Sequence, residues 1–158
     1  MEYENKMSKE TIGLAGEYLV ASEFCRRGMY CQLTLGNRKK TDLLVVTDNE
    51  TYRISVKSKV GRSWPKIKGI SQNSELLVFV DYADKNIKES PDIYVLDVEA
   101  WKKVVKQIKK NKNDPNAILD KDNNLRWPGT GGKSDWVGCE VIVKDVDDYL
   151  NKWPKFLK

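Results

Sequence analysis

The chain has 158 residues, 40% hydrophobic and 32% charged, with 28 Lys and Arg against 23 Asp and Glu, a formal net charge of +5 and no histidine. That length suits one domain, and the apolar content is enough for a core beneath a heavily charged surface. The lack of histidine excludes Ser-His-Asp and Cys-His nucleophile systems, H-E-x-x-H zinc sites and histidine-based nucleases, so any catalysis has to use carboxylates, lysine and a hard metal.

From Ser8 to Gly28 the sequence predicts a helix. Ile12, Ala15, Leu19, Val20 and Phe24 recur at helical spacing, Ser8 is placed to cap the start and Gly28 to close the end. Three strands are predicted next, over 30–35, 42–47 and 51–59, the last two joined by Asp48-Asn49-Glu50, which suits a tight hairpin turn. In the third strand Tyr52, Ile54 and Val56 alternate with Arg53, Ser55 and Lys57, so Ser55 and Lys57 share a face. Antiparallel pairing around the turn brings Asp42 opposite or diagonal to Ser55 and so toward Lys57. Apolar runs at 76–80 and 93–96 read as buried strands of the same sheet, followed by a helix over 98–110 with Asp97 as its N-cap. Between Asn111 and Gly138 the composition turns to Asn, Asp, Pro, Gly and Lys and predicts a long loop; Asp145 then precedes a short helix bearing Val146, Tyr149, Leu150 and Trp153.

Hydrolysis of a phosphodiester by carboxylates and lysine requires a divalent cation, and Mg²⁺ prefers one or two carboxylates with water and phosphate oxygens. Asp42 is the obvious ligand, the backbone carbonyl of Val56 can add another oxygen, and Lys57 can orient the attacking water or stabilise charge building on phosphorus. Glu17 would complete the site from the helix, where its apolar neighbours make an ionised carboxylate costly unless a cation or metal pairs with it.

Gly16-Glu17 in a first helix, Thr41-Asp42 opening a strand and Ser55-Val56-Lys57 in the next strand resemble the PD-(D/E)XK nuclease superfamily. The match spans roughly residues 8–59. This resemblance implies an α/β fold, a restriction-endonuclease-like αβββαβ core with a mixed central sheet flanked by helices, and Mg²⁺- or Mn²⁺-dependent cleavage of nucleic acid. It implies Glu17 as the helix acid, Asp42 as the central metal ligand and Lys57 as the catalytic lysine. The pattern asks for Asp or Glu, in some branches Gln, where this chain has Ser55, which would lend only a neutral oxygen. On this reading the chain is one domain over residues 1–158, with a motif-bearing core at about 8–110 and a loop-rich extension at about 111–158.

Lys59, Arg62, Lys66 and Lys68 follow the third strand with Trp64 among them, the mixture expected where a basic groove and a stacking ring meet nucleic acid. Trp127 and Trp136 bracket a Gly-rich segment that lacks the order of a phosphate-binding loop and reads as a folded loop. Cys25, Cys31 and Cys139 form an odd set without C-x-x-C spacing, expected as reduced thiols. No stretch is apolar enough to cross a bilayer, and the acidic start lacks the order of a signal peptide, so the cytoplasm is the expected location. The reading is a Mg²⁺-dependent endonuclease-like protein acting on DNA, with a homodimer expected if two strands are cut. Its rival is a pseudonuclease, disarmed at Ser55, that binds nucleic acid or protein; a third reading makes the chain a subunit of a larger assembly with Trp153 as interface anchor.

Overall fold

In the computed structural model, which describes residues 7–35 and 41–155, helix α1 spans Lys9–Arg26. The acidic start of the chain lies outside the described residues. Ser8 caps α1 by accepting a hydrogen bond from Thr11 N at 3.1 Å, which satisfies one of the amides that a first turn leaves unpaired. The chain reverses at Gly28, whose φ of 83° lies in the left-handed region open to glycine.

Strands β1 (Tyr30–Leu33), β2 (Leu43–Val46) and β3 (Thr51–Lys59) form an antiparallel meander, the β2–β3 hairpin closing with Thr47 N donating to Glu50 O at 3.0 Å. After a short strand β4 (Trp64–Ile67) come β5 (Glu75–Asp81) and β6 (Asp92–Leu96). The central sheet has the order β1-β2-β3-β5-β6, with β3 and β5 parallel and the other pairs antiparallel. The mixed central sheet flanked by helices is therefore present. Its parallel step runs through β4 and residues 68–74, where an αβββαβ order would place a helix.

Alternation along β5 divides the core. Leu76, Val78 and Val80 join Val20, Phe24 and other residues beneath α1, while Leu77 and Phe79 point to the opposite face. A strand buried on both faces reads as a continuous apolar run, which is why Leu76–Val80 was recognisable. The second face is covered by helix α2 (Val98–Lys112), capped by Asp97 accepting from Ala100 N at 2.8 Å and closed at Asn113 with φ 49°. Trp101, Val104, Val105 and Ile108 form its buried stripe.

The predicted long loop at 111–138 is instead built into a small sheet of β7 (Ile118–Leu119), β8 (Leu125–Trp127) and β9 (Trp136–Val137). Side chains order it: Asp120 accepts from the backbone N–H groups of Asp122 and Asn124, both at 2.9 Å, and from Arg126 Nη2 at 2.9 Å. Strand β10 (Cys139–Val141) returns to pair with β4. Asp145 lies inside helix α3 (Val143–Val146), not before it, and reaches back to accept from Ile142 N at 2.9 Å. Trp153 is no exposed anchor: it is half-buried, its ring 5.3 Å from that of Phe24 and capped by the Arg27 guanidinium at 4.1 Å.

Candidate functional site

The last cross-strand pair between β2 and β3 is Leu43 with Ile54, so the strands part at Asp42. Asp42 N still donates to Ile54 O at 2.9 Å, and Asp42 Oδ2 accepts the Val56 N–H at 2.7 Å. A carboxylate thus stands where a partner strand would have offered a carbonyl. The N–H and C=O of one strand residue leave the backbone on the same edge, so the Val56 carbonyl also faces the Asp42 side of β3.

Glu17 approaches from α1 and is half-buried. Its carboxyl is held above the usual range, first by burial and then by the negative charge of Asp42, with Lys57 pulling the other way. Glu17, Asp42 and Lys57 therefore share one electrostatic neighbourhood. Alternation puts the side chains of Ser55 and Lys57 on the face opposite Val56; Ser55 is only 7% exposed and Lys57 is half-buried.

Beneath this neighbourhood lies a contact that the sequence reading overlooked. Gly16 presses against β3 so closely that a Cβ there would overlap Ser58 Oγ, and that hydroxyl is buried without a hydrogen-bond partner among the described residues. The signal was available, since a glycine inside a helix costs about 1 kcal/mol against alanine and so calls for a packing reason.

Among the described residues, no group of three or more His, Cys, Asp or Glu side chains could hold a metal ion. In donor type, two acids and a backbone carbonyl suit Mg²⁺, which takes few protein ligands and keeps several waters. A cation would also offset the burial and the repulsion from Asp42 that together raise Glu17.

The stretch expected to form a basic surface divides in two. Arg62, Lys66 and Lys68 are exposed. Lys59 and Trp64 are not surface residues. Lys59 is 6% exposed, its ammonium 2.6 Å from Asp81 Oδ1 and 3.0 Å from Gly61 O, and Trp64 is 1% exposed, with its ring 5.0 Å from that of Phe79. A phosphate or a base cannot reach either one. Burial of Lys59 follows from the parallel register, which puts it directly beside Asp81.

The thiols are free, with Cys25 exposed, Cys31 half-buried and Cys139 buried; burial pushes both Cys31 and Cys139 up to about 12. No helix among the described residues is long and apolar enough to cross a membrane.

No protein-family model matches the chain, and a search of characterised proteins found no relative of it. Among solved structures it is similar to a bacterial homing endonuclease, with a TM-score of 0.45 and 16% identity, over 59% of this chain and 71% of that one.

Proposed function

We propose that this chain is a one-domain endonuclease-like protein of the PD-(D/E)XK type, hydrolysing phosphodiester bonds in nucleic acid, DNA in the first place. The observation that carries the reading is the Asp42 carboxylate bound to the Val56 N–H at the point where β2 and β3 part, with burial and the charge of Asp42 raising the Glu17 carboxyl and Lys57 opposing them. Glu17, Asp42 and the Val56 carbonyl would hold Mg²⁺ or Mn²⁺, which when bound neutralises phosphate charge and lowers the pKa of water. Asp42 binds the backbone through Oδ2, and Oδ1 would take the cation. Lys57 holds the attacking water in line or steadies negative charge on the phosphoryl oxygens. The water oxygen bonds to phosphorus as the bond to the leaving sugar oxygen breaks; a water proton passes to solvent, and the leaving oxygen takes one from bulk water. Exposed Arg62, Lys66 and Lys68 would bind backbone phosphates. Two copies would be needed to cut both strands of a duplex.

The test is cleavage of single-stranded, duplex and branched DNA with Mg²⁺ or Mn²⁺, wild type against Lys57→Ala. Loss of about a hundredfold or more in rate is expected, the scale of removing one charge-stabilising group. Equal cutting by both proteins sinks the assignment of Lys57. Ser55, neutral and buried where the motif has an acid, favours one rival: binding by both proteins with cleavage by neither would make the chain a pseudonuclease.

A further inference from the structure

Strands β8 and β9 set Trp127 and Trp136 directly opposite each other, and a cleft of about 260 Å³ opens beside them, its walls including Pro65, Lys66, Lys112 and Glu140. Lys66 Nζ lies 5.2 Å from the centre of the Trp136 ring, and Lys112 Nζ lies 5.7 Å from that of Trp127. Trp136 is 54% exposed. Large aromatic surface left in water next to two cations asks for a ligand that is flat on one side and anionic on the other.

The backbone that carries both rings, and the Trp127 ring itself, are held in position by the protein. Arg126 spans Asp120 at 2.9 Å and Asp135 at 3.1 Å, Asp135 also accepts from Gly129 N at 2.9 Å, and the Trp127 indole N–H donates to Asp114 at 2.8 Å. A platform fixed before its ligand arrives loses little freedom on binding. Two ammonium groups face the cleft against the one carboxylate of Glu140, so the balance favours an anion. The cleft is also continuous in sequence with the exposed basic segment, because Arg62 lies in the 60–63 link between β3 and β4 and Lys66 lies in β4 itself.

We infer that this cleft is a stacking platform for an unpaired nucleotide of a nucleic-acid strand, its base against Trp136 and its phosphates on Lys66 and Lys112. The inference rests on the nucleic-acid reading above and narrows the substrate to one with an unpaired stretch. A base inside an intact duplex is covered on both faces by its neighbours and cannot lie on an indole, whereas an unpaired base can.

The experiment is fluorescence anisotropy of a labelled short oligothymidylate, alone or paired with oligoadenylate, titrated with the full chain in EDTA so that cutting plays no part. Trp136→Ala should weaken single-strand binding by roughly 5-fold to 150-fold, the range for loss of one base–aromatic stack, and leave duplex binding unchanged. Trp136→Phe should keep most of the affinity, and Lys66→Ala with Lys112→Ala should reduce the salt dependence. An unchanged thermal midpoint in Trp136→Ala checks that the fold is intact. Single-strand binding by Trp136→Ala as tight as wild type overturns the platform and leaves the nuclease reading standing. Thymidine monophosphate competing as well as the oligomer would make the cleft a free-nucleotide site and overturn the strand assignment. A wild-type protein that binds no oligonucleotide of any kind removes both readings.

Discussion

Gly16 sets the height of α1 over β3. Replacement by alanine gains about 1 kcal/mol of helix propensity but drives a methyl group into Ser58 Oγ, with Ser58 Cβ only 3.1 Å away and Val56 Cγ1 at 3.6 Å. Overpacking in a tight contact costs about 1–3 kcal/mol, so Gly16→Ala should lower stability in denaturant unfolding. Ser58→Ala should be neutral or stabilising, since it removes a buried hydroxyl that has no partner among the described residues. The double variant should recover much of the Gly16→Ala loss; additivity of the two single changes would show that the contact is not where the strain arises. Because Glu17 is the next residue, a lifted helix also moves its carboxyl away from Asp42. The approach of Asp42 to β3 was legible because period-two alternation and a short hairpin fix geometry over adjacent residues. The Gly16–Ser58 contact was not, since it depends on how closely a helix settles on a strand.

Between elements, the buried Lys59–Asp81 pair joins β3 to β5, with Trp64 of the next strand 4.7 Å from the ammonium. Removing one partner strands the other charge in the interior, so Asp81→Ala should cost about 3–5 kcal/mol in unfolding by urea. Changing both together, Lys59→Met with Asp81→Leu, should cost much less, because an ion pair of this kind spends most of its attraction on desolvation. If the single and double variants lose the same stability, the pair is not what holds Asp81. The sequence made Lys59 look like its exposed neighbours Arg62, Lys66 and Lys68, since only the parallel register reveals its partner. The segment over 111–138 was misread for a related reason. Its order comes from Asp, Asn and Arg side chains bonding to nearby backbone, a pattern that leaves no hydrophobic period to read.

For the molecule as a whole, those same acids govern the response to pH. Burial acts to raise Asp120, but hydrogen bonds from the Asn124 backbone, Arg126 and Asn124 outweigh it and hold the carboxyl below its usual range. The hydrogen bond from Arg27 holds Glu23 low as well. A carboxyl lowered in the folded state contributes stability that is complete above its unfolded pKa, about 3.9 for Asp, and is lost as the pH falls through the lower folded value. The thermal midpoint should therefore drop as pH is taken from about 6 to about 3. Asp120→Asn should start lower and fall less; an identical slope would remove Asp120 from the account. At this scale the sheet, its two helices and their order along the chain were readable from apolar runs and caps, while the small sheets on the α2 face were not.

The proposed metal-binding and catalytic residues all fall within the segment that makes α1, β1, β2 and β3, whereas the strand that pairs with the far edge of β3 comes only at Glu75–Asp81. During synthesis from the N-terminus, the site-bearing strand emerges from the ribosome with one row of its amides and carbonyls unpaired. Until β5 follows, that row is open to β-pairing with a neighbouring nascent chain, so the hazard of misassembly on a polysome is greatest in the interval between the two strands.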